Sequence, residues 1–589
     1  MTNICGGVIQ PGFNFHLSSL LSAMSPSLKE QQAFWKEGSI QLGCSGGQIV
    51  SNVEKDIVLL KDGEIYLESN GRCIPITDED IIDIYLEKGV DAFTTFFGAF
   101  AIAIYDNVKK QLILARDRFG EKPLYWTNLN NTFLFASQLK GLLASPTVFS
   151  HPDFESIAYF FAFGFIPSDR SLVEKIRKVH PASYLIYFDK VNHYSRSYWS
   201  LSDNLLAKNE KWEVSNYIKT RNAIIKDRFK ENKTAFLLRD AGEKYALGDY
   251  DGTRLHPQMV PLSLYEKENK KNSLNHHSLN FAEALNQMPQ ILWHLDEPLA
   301  DFSVFSFWHL CQLAKKNQFS QIATATGSFP YLSHHIHHPE CKHQKSKTWL
   351  PLLSRKILLS PPLVKMQPNF IFFLLRKLNI PSWHSLYLNN QFFNDPNLLK
   401  KWIFKDRLSL DMQAFLYSFP RLEELGKTLS SLLFLYFRFY MPNNDLIIED
   451  RLSRAAKLNK KSLFLDHRLI ENISSMPERI PHRKKDAFSL NDLIQPMELP
   501  KFKTELLPES FLKEKDLLYA YFSSLPSGIL AKSQLISPKT FSYLFNHWQN
   551  PSVFRLLWSI LILETWFQVF HERKQPGVLP AATLKDIFL

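Results

Sequence analysis

The chain has 589 residues, 45% of them hydrophobic and 14% aromatic, and 69 Lys and Arg against 58 Asp and Glu give a formal charge of +11. That apolar share excludes a wholly disordered chain, and at roughly 100–200 residues per domain the length calls for two to four domains. Five scattered cysteines exclude a disulfide scaffold and fit a reducing, cytoplasmic setting.

Charge is unevenly spread: residues 1–200 hold 18 basic and 21 acidic side chains, so the basic surplus lies beyond them. Such a surplus suits anionic ligands. No paired Cys/His finger and no glycine-aromatic RNA-binding signature is present, so nucleic acid is not expected. Met1-Thr2-Asn3-Ile4 lacks a basic n-region before an apolar core, so no secretory signal is expected.

In chain order, Ser45-Gly46-Gly47 reads as a turn and Asp56 to Leu60 as a short strand stopped by the turn signal Lys61-Asp62-Gly63. Glu64 to Leu67 restarts extended structure, and Asp80 to Glu87 has helical spacing. Phe100 to Tyr105 and Gln111 to Ala115 flank Asp106-Asn107-Val108 as a hairpin, with Thr132 to Ala136 a further strand. This mixed α+β layer ends near Tyr198-Trp199. An amphipathic stretch follows from Lys211 to Lys230, then the buried-strand run Thr234 to Leu238. A helix from Val304 to Lys315 leads into the strand Gln321 to Thr324, so strand, helix and strand predict a parallel α/β core. Beyond Leu350 the chain is mainly helical. Val553 to Phe570 is interrupted by Arg555 and Glu564 and reads as a buried helix, not a membrane span. The cluster His334, His335, His337, His338, Cys341 and His343 matches no standard tetrahedral spacing, so it reads as a polar loop and no metal ligands are assigned.

Several segments together are specific. Phe97-Gly98-Ala99-Phe100-Ala101, Leu114-Ala115-Arg116-Asp117-Arg118-Phe119-Gly120-Glu121-Lys122-Pro123-Leu124-Tyr125 and Phe135 to Lys140 resemble the class II glutamine amidotransferase domain of glutamine-hydrolysing asparagine synthetases. Asp296-Glu297-Pro298-Leu299-Ala300-Asp301-Phe302-Ser303, Pro442 to Asp445, Asp450-Arg451-Leu452-Ser453, Leu463 to Asp466 and Leu557 to Trp566 resemble later blocks of that family, in the same order. The resemblance implies an Ntn-hydrolase-like αββα sandwich over residues 1–200. An α/β ATP-pyrophosphatase-like domain with a largely helical C-terminal part would follow over 209–589. It also implies two reactions. A cysteine thiolate at the mature N-terminus hydrolyses glutamine, and ammonia passes through an internal tunnel. ATP and magnesium activate aspartate, which ammonia converts to asparagine. The implied partners are glutamine, aspartate and ATP, with a second copy of the chain or an intact amidotransferase as protein partner.

Carried over residue by residue, the nucleophile would be Cys5, but Thr2, Asn3 and Ile4 precede it, so a free amine there requires removal of four residues. The glutamine-binding residues would be Asp62, Gly63, Glu64 and Asp78. Asp62 replaces the asparagine of the family's oxyanion hole, and an ionised carboxylate donates no hydrogen bond. No arginine stands near Cys44-Ser45, where the family binds the substrate carboxylate. The ATP-binding residues would be Leu237, Gly327 and Ser328. The phosphate loop reads Phe236-Leu237-Leu238-Arg239-Asp240-Ala241-Gly242-Glu243-Lys244, with both of the family's glycines replaced. The second acidic loop reads Thr324-Ala325-Thr326-Gly327-Ser328-Phe329-Pro330, and Phe329 and Pro330 offer magnesium no side-chain oxygen. A third block, Lys457 to Asp466, lacks the family's Glu and Arg. The expectation is a retained scaffold whose family reaction is lost or much altered, with a binding or regulatory role. The alternative is an active divergent ligase with a processed Cys5.

Overall fold

The computed structural model describes residues 2–13, 15–25, 31–54, 56–69, 72–148, 151–189, 192–206, 214–229, 234–238, 259–263, 275–276, 280–328, 393–404, 408, 410, 433–475, 514–570 and 578–588. The N-terminal part begins with β1 (Asn3–Val8), α1 (Leu17–Met24), β2 (Gln32–Glu37), β3 (Ile40–Ser45), β4 (Val50–Ser51) and β5 (Ile57–Gly63). A small hairpin of β6 (Tyr66–Ser69) and β7 (Arg72–Pro75) leads to α2 (Asp78–Lys88) and α3 (Ala92–Thr95). Next come β8 (Phe100–Asp106), β9 (Gln111–Arg116), β10 (Tyr125–Leu129), β11 (Thr132–Ala136), α4 (Leu139–Leu143) and α5 (Phe154–Phe163). The part closes with β12 (Arg177–Lys178), β13 (Ser183–Asp189) and β14 (Asn192–Ser197).

These strands make two six-stranded antiparallel sheets, ordered β12-β10-β11-β1-β3-β2 and β14-β13-β9-β8-β5-β4. Alternation sorts their side chains: Ile4, Leu42, Val58, Leu60, Ala101, Ala103, Leu114, Phe133 and Phe135 fill the space between the sheets. Ile57, Leu59, Ile102 and Ile104 point the other way, onto α2 and α3. Cys5, Leu134 and Ala136 face α1 and α4 on the outside of the first sheet. The layers are therefore αββα. The start of α2 is fixed by a capping box in which Thr77 and Asp80 exchange hydrogen bonds.

One predicted boundary differs. Lys61-Asp62-Gly63 does not end β5 but continues it, with Asp62 opposite Ala101 and Gly63 opposite Phe100. Pairing with β8 overrides the turn composition, and the chain turns at Glu64-Ile65 instead. Gly63 has φ +102°, and a Cβ there would sit 2.0 Å from the Ala99 carbonyl oxygen.

The second part contains α6 (Leu201–Leu206), α7 (Val214–Arg228), β15 (Thr234–Leu238), β16 (Met259–Ser263) and β17 (Asn275–His276). Then come α8 (Phe281–Asn286), α9 (Met288–Leu295), α10 (Ser303–Lys316), β18 (Gln321–Thr324), α11 (Asp445–Ala455), β19 (Asn459–Lys460), α12 (His467–Ser474) and α13 (Pro551–Phe570). Its five strands form a parallel sheet ordered β17-β16-β15-β18-β19. Helix α13 has the length and composition of a membrane span, yet 89% of its most apolar window is buried inside the protein. Two indole N–H groups of α13 anchor it: Trp566 donates to Asp296 O (2.7 Å) and Trp558 to Ala300 O (2.9 Å).

Candidate functional site

The loop after β9 sets up one side of the site. Arg116 donates to the carbonyls of Gly120 (2.7 Å), Lys122 (2.9 Å) and Val179 (2.9 Å). The Asp117 carboxylate accepts from the backbone N–H groups of Phe119, Glu121 and Lys122. So tied, the loop presents Glu121 and Lys122 to the second part of the chain. There α11 buries an unusual set of polar side chains, among them Asp445, Glu449, Asp450, Arg451 and Ser453. A helix with this many buried charges is tolerated only where each finds a counter-ion.

The counter-ions come from both parts. Lys122 Nζ is 2.7 Å from Asp450 Oδ1 and 4.0 Å from Asp62 Oδ1. Arg454 donates to Asp62 Oδ2 (2.6 Å) and to the Thr2 carbonyl (2.7 Å). Arg451 donates to the Ser137 carbonyl (2.7 Å) and lies 3.3 Å from Asp296 Oδ2. Asp296, at φ +70°, accepts from the Leu139 N–H at the start of α4 (3.0 Å) and pairs with Lys140 (2.8 Å). Glu297 pairs with Lys178 (3.0 Å). Burial alone raises the Asp450 pKa, but Lys122, Arg454 and Arg451 overcome it and hold the carboxyl well below its ordinary range. Burial pulls the Lys140 ammonium down to about 8, with Asp296 opposing. The segments carrying the resemblance thus meet in one buried seam of charge.

Measured against this seam, the expected glutamine pocket divides. Cys5 lies in the middle of β1, fully buried, between β3 and β11, and burial with neighbouring Cys44 pushes its thiol far up. Thr2, which directly follows Met1 and precedes β1, is the residue that shares Arg454 with Asp62. Lys61 and Asp62 point to opposite faces of β5, and Asp78 pairs with Lys61, so Asp78 belongs to the α2 face and Asp62 to the seam. Glu64 pairs with Lys461 and accepts from the Tyr66 hydroxyl (2.5 Å). Burial opposes ionisation of Glu64, yet these two partners hold its carboxyl below its ordinary value. Lys461 stands in the block that had lost its arginine and supplies the missing positive charge.

At the carboxyl edge of the parallel sheet, where α/β folds bind ligands, Leu237 lies opposite Thr324. Leu237 and Ser328 are fully buried. Gly327 has φ +84°, and a Cβ on it would meet Leu465 Cδ2 at 2.5 Å. The structure thus brings Leu237, Gly327 and Ser328 to one edge. Glu449 pairs there with Lys460 (2.9 Å) and accepts from the Thr326 hydroxyl, while Glu121 lies 3.6 Å from Lys460 and accepts from Ser462. Among the described residues at this edge, Glu449 and Glu121 thus share one ammonium, Lys460. Residues 239–244 of the phosphate loop and the His334–His343 cluster lie outside the described residues.

Residues 39–199 match the glutamine amidotransferase domain family, and residues 269–568, half of the chain, match the asparagine synthase family. The chain belongs to the asparagine synthase family. A relative from Methanocaldococcus jannaschii is 27% identical over 44% of this chain and 56% of its own length. Asparagine synthetase (glutamine-hydrolyzing) 2 of Bacillus subtilis (strain 168) is 32% identical over 28% of this chain and 24% of its own. Asparagine synthetase (glutamine-hydrolyzing) 1 of the same organism is 24% identical over 46% and 47%. The chain therefore spans about half or less of the length of these relatives. In this member, the two halves are an Ntn-hydrolase-type amidotransferase sandwich and an ATP-pyrophosphatase-type domain.

Proposed function

We propose that this asparagine synthase family member has kept the two-domain scaffold and given up the glutamine-dependent synthesis of asparagine, acting by binding rather than by catalysis. The observation that carries this reading is Asp62. At the position that must donate a hydrogen bond to a developing oxyanion stands a buried carboxylate, held 2.6 Å from Arg454. Its charge opposes the oxyanion, and its cation is spent. The lock between Lys460 and Glu449 supports the same reading for the synthetase edge, where family membership implies ATP. Against the alternative of a processed Cys5, removal of four residues would delete Asn3 and Ile4. Asn3 bonds Ser25 (2.8 Å) and Gln138 (2.6 Å) in the interior, and the Ile4 N–H donates to Ser137 Oγ (3.2 Å). Four free, buried cysteines among the described residues support a cytoplasmic setting.

The experiment is paired. Glutamine hydrolysis is followed as released glutamate, and ATP–magnesium binding by calorimetry, on the full chain. Neither signal is expected at millimolar ligand. Turnover of glutamine, or micromolar ATP binding with pyrophosphate release in the presence of aspartate, would overturn the proposal and return the chain to the active synthetases.

A further inference from the structure

A pocket opens between the two domains beside Leu465. It is lined by Phe97, Arg118 and Phe119 from the sandwich and by Arg228, Asp466 and His467 from the second domain. The space measures about 220 Å³ with its mouth, and its enclosed centre of about 10 Å³ has room for one oxygen atom. Arg118 is 7% exposed. Its Nη2 donates to the Thr94 carbonyl (2.7 Å), but Nε and Nη1 are buried and have no hydrogen-bond partner among the described residues. Its guanidinium lies 4.0 Å over the Phe97 ring, whose plane is also stacked with His467 at 3.7 Å. The side chain is therefore fixed while two of its charged donors stay unmet, which is costly for a buried cation.

Of the surrounding carboxylates, Glu471 faces Arg118 without a hydrogen bond to it and accepts from the Trp199 side chain. Asp466 takes Arg228 (2.7 Å) and Arg468 (2.9 Å), and Glu68 takes His467 (3.0 Å). Three arginines, Arg118, Arg228 and Arg468, against Asp466 and Glu471 leave the surroundings net cationic. The rival reading is a metal, since Cys73, Asp466 and His467 place ligand atoms within 4.8 Å of one another. It fails on the same contacts: both Asp466 oxygens already accept from arginines, and burial followed by the Asp466 charge pushes the Cys73 thiol up, away from the thiolate a metal needs.

We propose that this interdomain pocket binds an oxyanion, a carboxylate or a phosphate, with one oxygen in the enclosed centre facing Arg118 and the rest of the group in the mouth. The proposal does not depend on whether the family reaction is lost, because none of the lining residues is one to which the resemblance assigns glutamine or ATP. Calorimetric titration of the full chain with inorganic phosphate and with acetate, at fixed ionic strength in chloride, tests it. One-to-one saturable binding is expected for at least one of the two, and which one binds identifies the source chemistry. Arg118→Gln is expected to weaken that binding roughly tenfold to hundredfold, as loss of a charge-assisted hydrogen bond does, and Arg118→Lys to weaken it less. No saturable heat with either anion on the unmutated chain overturns the proposal without any variant. So does unchanged affinity in Arg118→Gln with an unchanged melting profile.

Discussion

Arg454→Met removes one guanidinium and leaves Asp62, 2% exposed, facing, among the described residues, only Lys122 at 4.0 Å. Breaking a buried ion pair from one side costs about 3–5 kcal/mol, because the surviving charge stays buried. At about 2.1 cal/mol/K per residue, 589 residues melting as one unit have an unfolding entropy of about 1.2 kcal/mol/K. The expected drop in Tm is therefore about 2–4 °C. Scanning calorimetry reads this directly. The double variant Asp62→Asn, Arg454→Met strands no charge, since Lys122 keeps Asp450 at 2.7 Å, and it should recover at least half of the loss. A shift below half a degree for the single variant, or a double variant as unstable as the single, would show that the seam contributes little.

Cys5 should resist iodoacetamide at pH 8 in the native protein and react only in denaturant, as peptide mass spectrometry can show, because it is fully buried and its thiol is pushed far up. Stability should be lost on acidification through Asp450. Its folded pKa is depressed, so its contribution is complete above the ordinary carboxylate pKa of about 3.9 and falls away as the pH drops below it. Asp450→Asn should flatten that part of a stability–pH profile measured by urea denaturation. Gly327→Ala, with φ +84° and Leu465 Cδ2 2.5 Å from the new methyl group, should destabilise by roughly 1–3 kcal/mol in the same assay, and by more than Gly12→Ala, which shares φ +84° but meets nothing within 4 Å and so isolates the backbone strain.

Periodicity made the strands legible: Thr132–Ala136 and Gln321–Thr324 stand as read, because each is a short apolar run with its partners close on both sides. The run Lys61-Asp62-Gly63 misled because turn composition is local, whereas β8 holds those residues extended. Helix α1 was legible too, because Leu17, Leu20, Leu21 and Met24 fall at i, i+3, i+4 and i+7 and all are buried. The family and the two-part fold were readable from ordered blocks, but the blocks did not disclose their task. Asp296, Glu297, Lys122 and Asp450 look like chemistry in the sequence and act in the structure as the clasp between domains. The partner of Asp62 is 392 residues away, beyond any local pattern. That Cys5 sits in a core while Thr2 reaches Arg454 follows from the register of β1 between β3 and β11, which only the sheet reveals.

The clasp also bears on how the protein is made. A ribosome releases Asp62, Lys122, Lys140 and Lys178 with the first 200 residues, but their counter-ions Asp296, Glu297, Asp450 and Arg454 come later. At roughly 5–20 residues per second, the wait for Arg454 is on the order of ten to fifty seconds. During that time the docking face of the nascent sandwich presents these charges to water beside apolar side chains such as Phe163 and Phe165, which later pack on Phe439. The charges are dehydrated only when the right partner arrives on the same polypeptide.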